Sequence, residues 1–295
     1  MTTTQAGILQ DLPRVARYLS FEVADASAIP AALRRLREQI NGDTVVLGLG
    51  ASTVAAVGAQ VTGLRPFPDL KAKVVVPTTP TALWCWLHSS DETDQGHLLH
   101  LSRQIEQAAA PAFKLVDVTD AFSHGAGRDL SGYEDGTENP EEPGPVALVS
   151  GAGVGLDGSS LVAVQKWVHK LDVLANMPQH AKDHTIGRRQ SDNEELDDAP
   201  VSAHVKRTAQ ESFEPEAFVW RRSMPWAAGQ AGGLMFVAFG RTLDAFEAQM
   251  RRMAGLEDGT IDALFNISEP VSGAYLWCPP VRAGRLDLSA LNLGA

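Results

Sequence analysis

Cysteine is almost missing: Cys85 and Cys278 are the two thiols in 295 residues. Each lies inside an aromatic, strand-like run, ALWCW and YLWCPP, so both read as small buried apolar side chains. That excludes a disulfide framework and a CxxC metal site. Positive charge is scarce too, with 25 Lys and Arg against 36 Asp and Glu and a formal net charge of -11. A nucleic-acid partner needs a concentrated basic surface, so none is expected. Nowhere do 18 apolar residues follow one another, and the opening MTTTQ has no basic cluster leading into an apolar run. Neither a membrane span nor a secretory leader is readable, and a soluble cytoplasmic protein is the expectation. The chain also lacks a GxSxG elbow, an HExxH helix and a P-loop. GVGLDG at 153–158 fits GxGxxG, but a strand-like SSLVAVQKW follows where a dinucleotide site needs a helix. The acidic stretch DLSGYEDGTENPEE does not follow calcium-loop spacing. The sequon at Asn266 means little without a leader.

What is present is a hydrophobic fraction of 44%, enough for a sizeable core. Strand and helix signals alternate. Apolar runs at 17–23, 44–50, 80–87 and 113–120 read as strands, with helical patterns at 28–40 and 94–109 between them. A loop rich in Gly, Pro, Asp and Glu spans about 120–160, and loops of that length in compact proteins are functional or disordered. A second set follows, with strands at 159–171, 217–226, 233–241 and 273–280 and a helix at 243–255. Two echoes link the sets. VVLGLGASTVAAV resembles LMFVAFGRTLDAF at an offset of 190, Gly50 matching Gly240, and ALWCW resembles AYLWC at an offset of 193, Cys85 matching Cys278. They suggest a duplicated α+β unit with two antiparallel sheets packed together and helices outside.

The most telling string is GYEDGTENP at 132–140, where Asp135 stands between Gly132 and Gly136. Alone it is turn chemistry. Together with IGRRQSDNEELDD at 186–198, SAHVKR at 202–207, WRRSMPW at 220–226 and VSGAYLWCPP at 271–280, it resembles the signature of dye-decolorising peroxidases, in particular their bacterial class B-like branch. The matches follow family order and cover most of 113–280.

The resemblance implies a pair of ferredoxin-like units, here residues 1–140 with the GxxDG loop and residues 141–295 with the iron ligand. It implies haem b (iron protoporphyrin IX) as cofactor and a peroxidase that reduces hydrogen peroxide through a ferryl species while oxidising organic donors such as dyes and phenols. His204 would be the axial ligand, with Asp262 the candidate carboxylate behind it and Asp258 the competitor. Arg188 would face a haem propionate, Arg189 pointing elsewhere. Asp135 and Arg221 would stand over the open iron face. Ser223 occupies a place where many relatives carry asparagine, and its hydroxyl can hold a distal water. Tyr133, Trp220 and Trp226 are the candidates for an aromatic relay. A homo-oligomer is implied, and the tail RLDLSALNLGA could dock onto an encapsulating shell protein, as tails of some relatives do. The alternatives on the same scaffold are a haem carrier or sensor, which would not need Asp135 and Arg221, and a haem-modifying protein that removes iron or decarboxylates a precursor.

Overall fold

Eight strands form the frame that holds the site. The computed structural model describes residues 2–294, which leaves Met1 and the last tail residue, Ala295, outside the described residues. The strands are β1 (Val15–Val23), β2 (Val45–Gly50), β3 (Leu83–Ser89), β4 (Phe113–Phe122), β5 (Ser160–His169), β6 (Met224–Ala228), β7 (Ala231–Gly240) and β8 (Ala274–Cys278). The first four pair in the order β4-β1-β3-β2, and the last four in the order β8-β5-β7-β6. Counted within its own half, each set has the order 4-1-3-2, all antiparallel. The halves also join at both edges, β8 with β2 and β4 with β6. The expected packing of two sheets is therefore realised as one closed barrel, which leaves no bare edge within the ring.

Closure explains why these strands are apolar on both faces. Along β1 and β3, Tyr18, Trp84 and Trp86 point into the barrel, while Leu19, Cys85 and Leu87 face the outer core. Side chains alternate with period two, so neighbours serve different cores. Outside the first half lie α1 (Ile29–Gln39) and α2 (Gln95–Ala109), which bury Leu33, Leu36, Leu98 and Ile105. Burial pushes the Cys85 and Cys278 thiols upward, in keeping with inert core positions.

The second half departs from a simple repeat. Between β5 and β6 the chain forms α3 (Gln179–Ile186) and α4 (His204–Thr208), and α5 (Asp244–Met253) follows β7. These helices stand off the outer face of the β5–β7 sheet, and a slot opens there. The sequence expectation of a strand at 217–226 resolves into a short bridge at Trp220–Arg221 and then β6. The tail is used internally: Leu286, Leu288 and Leu291 are each 1% exposed and join the outer core, and Arg37 donates to the Leu286 carbonyl. Among the described residues no helix is long and apolar enough to cross a membrane.

Candidate active site

The slot encloses about 810 Å³, part of it open to solvent, and continues into a second, more polar space that shares Asp135, His204 and Arg221 with it. Its inner walls are apolar, with Trp167, Leu234 and Phe236 from the sheet and Phe246, Met250 and Met253 from α5. Such a concave apolar space with a few convergent polar groups suits a bulky, largely apolar ligand.

His204 opens α4. Its Nδ1 lies 2.8 Å from Oδ2 of Asp262, and Asp262, 1% exposed, uses Oδ1 to accept from the Leu264 amide. With Nδ1 engaged by a carboxylate, Nε2 is the nitrogen left for a ligand. Asp258 does not compete. It binds Arg207 through both oxygens at 2.8 Å, and that hydrogen bonding holds its carboxyl down at about 2.

Asp135 and Arg221 meet in the same slot, with Arg221 Nη1 3.7 Å from Asp135 Oδ1, an ion pair without a hydrogen bond. The loop and the arginine are tied at the backbone. Asn139 Oδ1 accepts from the Arg221 amide at 2.8 Å, and Asn139 Nδ2 donates to the Arg221 carbonyl at 3.1 Å. Gly132 and Gly136 have φ of 91° and 78°, so both sit in left-handed backbone. A Cβ on Gly132 would come within 2.1 Å of Gln190 Nε2. Glycine on either side of the carboxylate is thus a requirement of the loop.

The remaining expected residues scatter more. Arg188 lines the polar end, yet its guanidinium is already paired with Glu138, with Glu195 3.7 Å away, and it donates to the Asn193 carbonyl. Arg189 turns outward to Asp192 and Glu194. Ser223 is not in the main slot. It lines a smaller space next to Asp135, and its Oγ accepts weakly from the Val237 amide at 3.3 Å. Tyr133 lines the slot and donates to Asp183 at 2.5 Å; burial, then Asp183, pushes its hydroxyl upward. Trp220 and Trp226 belong to the barrel interior instead, donating to the carbonyls of Ile8 and Trp167. Among the described residues no ring contact joins these three. Sequence reasoning missed Asn139, Gln165 and His169. Asn139 stood inside the quoted motif, but only the fold reveals what it clasps.

Residues 126–283, more than half of the chain, match the family model for the C-terminal region of Dyp-type peroxidases. The chain belongs to that family, and it is an oxidoreductase that acts on peroxide. It is 29% identical over 251 residues to a dye-decolorizing peroxidase of Mycobacterium tuberculosis, covering 81% of this chain and 73% of that one. Its fold resembles a dye-decolorizing protein from V. cholerae with TM-score 0.81 and 28% identity, covering 97% of this chain and 98% of that one. A variant of DypB from Rhodococcus jostii RHA1 in complex with heme shares the fold at TM-score 0.79 and 24% identity, covering 92% of this chain and 94% of that one.

Proposed function

We propose that the slot holds haem b, with His204 as the axial ligand, and that the protein reduces hydrogen peroxide while oxidising organic donors such as dyes and phenols. The observation that carries this reading is the presence, within one largely apolar slot, of both a carboxylate-backed histidine and an acid–guanidinium pair. The residues suit the group. The walls match a flat apolar macrocycle, and the buried Gln165 Nε2, the buried Arg221 Nε and the free His204 nitrogen are polar atoms that the protein itself leaves unpartnered. Arg188 would meet a propionate in the place that Glu138 now fills. Haem supplies the redox change that breaks the O–O bond. Asp135, as a carboxylate, accepts the first proton of the bound peroxide and returns it to the departing oxygen. Arg221 meets the negative charge that grows there without having to reorganise. Ser223 acts at most through water, since its hydroxyl lies in the neighbouring space. Asp262 keeps the His204 ring oriented and electron-rich.

The strand order of the two halves supports reading them as duplicated ferredoxin-like units, divided near residue 140. A haem carrier would have no use for Asp135 and Arg221, and no observation favours iron removal or decarboxylation. Residence in the cytoplasm suits two unpaired thiols. With its leucines packed in the chain's own core, the tail offers no support for docking on a shell.

The test is the absorption spectrum of the purified protein. A Soret band should appear, shift with one equivalent of peroxide and return on addition of a phenolic donor. A band indifferent to peroxide would point to carriage instead. His204→Ala should lower haem retention or alter the ferric spectrum, and normal content with an unchanged spectrum would remove His204 as ligand.

A further inference from the structure

His169, the last residue of β5, is 8% exposed, and both its ring nitrogens are engaged. Nε2 lies 2.8 Å from Asp129 Oδ1, and Nδ1 lies 2.8 Å from Ser268 Oγ. Asp129 and Ser268 are themselves buried, and all three line the slot that also contains Asp135, Arg221 and His204. The Ser268 hydroxyl has one proton and two acceptors within reach, Nδ1 of a neutral ring or the Val168 carbonyl at 3.3 Å. When it donates to Val168, Nδ1 carries its own hydrogen and the ring is an imidazolium beside a carboxylate. When it donates to Nδ1, the ring is neutral. One hydroxyl rotation accommodates either state with no heavy atom moving. Burial pushes the Asp129 carboxyl upward, but the hydrogen bond and charge of His169, aided by Ser131, outweigh it and leave Asp129 below the usual range.

Asp129 in turn closes the turn that leads to the distal acid. Its Oδ2 accepts from the Ser131 amide at 3.1 Å, its carbonyl from the Gly132 amide at 2.9 Å, and its own amide donates to the Tyr133 carbonyl at 2.8 Å. Two residues later comes Asp135, whose amide is fixed on the Gly127 carbonyl at 3.0 Å. A polar chain thus runs from Ser268 through His169 and Asp129 into the loop of Asp135.

We propose that His169 is a positioning residue for Asp135: seated on Ser268, it clamps Asp129 through Nε2, and Asp129 fixes the turn from which Asp135 meets peroxide. The proposal rests on the peroxidase reading above. The other ionisable groups around this slot are Tyr133, Glu134, Asp135, His204 and Arg221, while the neighbouring Lys170 turns away to the Phe265 carbonyl and Glu269.

Two experiments test it separately from that reading. In protein labelled with nitrogen-15 at histidine, with His169→Gln for assignment, long-range proton–nitrogen correlation reports which ring nitrogen carries a proton, with or without haem. A protonated Nε2 hydrogen-bonded to Asp129 is expected, and an unprotonated Nε2 overturns the clamp. At matched haem content, His169→Gln and Asp129→Asn should each slow the peroxide-dependent absorbance change roughly 10- to 100-fold and move its pH profile, the cost of a slightly misplaced catalytic group. Combining His169→Gln with Asp135→Ala should add nothing to the slower single change, because both act through one carboxylate. Independent, multiplying losses overturn the proposal. Should His169→Gln not fold, Ser268→Ala keeps the ring and removes its seat, and an unchanged nitrogen spectrum and pH profile in that variant overturn it equally. Wild-type protein that ignores peroxide would end the peroxidase reading, and the nitrogen spectrum alone would then decide the clamp.

Discussion

Charge decides the ranking of the two distal side chains. Arg221 faces negative charge that grows during O–O cleavage, and removing one preorganised electrostatic donor costs about 100- to 1000-fold in rate. Asp135 handles a proton that water can also carry, so its loss should cost much less. Stopped-flow measurement of the peroxide-dependent spectral change in Arg221→Leu and Asp135→Ala, at several pH values and equal haem content, checks the order. A larger loss for Asp135→Ala would make the carboxylate the principal catalyst. These two residues and His204 were legible in the sequence because motif strings name them and their chemistry is specific, whereas no string names Asp262, and only the fold sets it rather than Asp258 against His204. His169 was not legible, since a histidine at the end of an apolar strand reads like any core histidine until its neighbours are known. Asp129 sat in plain view six residues before Asp135, but nothing local separates a structural aspartate from an ordinary turn residue. Arg188 was found in the right space, and only the fold could show that Glu138 already holds it.

At the scale of elements, the strands and helices expected from apolar periodicity appear, while α3 and α4, which border the slot, lie where no helix was expected. The echo between the halves joins β2 to β7 and β3 to β8, which are second with third and third with fourth in their respective units. The topology does repeat, yet those echoes are one strand out of step. Short buried strands ending in glycine look alike because burial on both faces restricts them to the same few residues. The end of β3 carries a testable consequence of that burial. His88 is 6% exposed with Nε2 unpartnered and its ring against Trp86, and burial pulls its pKa down to about 4. The folded value lies below the unfolded one of about 6.5. Between those values the unfolded chain binds more protons, so stability is fully present above about pH 6.5 and is lost as pH falls towards 4. His88→Phe should remove on the order of 2 kcal/mol of that loss. Urea unfolding of both proteins at pH 7 and pH 4.5 measures it, and an equal loss in both would show that His88 does not titrate this way.

For the whole molecule, β4 shows Val116 and Val118, 53% and 43% exposed. Exposed β-branched residues on a strand are surface that a second copy can cover, and light scattering should give a mass above the 31.6 kDa chain. A value at the chain mass would establish a monomer. Strand pairing around the barrel is uneven. Where β4 meets β6, a single pair, Ala121 with Trp226, is in register, whereas β5 and β7 run together from Leu161 against Gly240 to Val168 against Gly233. A ring opens first where it is least stitched, and backbone amides report such openings by trading hydrogen for deuterium. The amides of β6 and of the last residues of β4 should therefore exchange well before those of β5. The slot lies behind the slow wall, so the barrel can loosen along one side while the face that carries the chemistry stays shut.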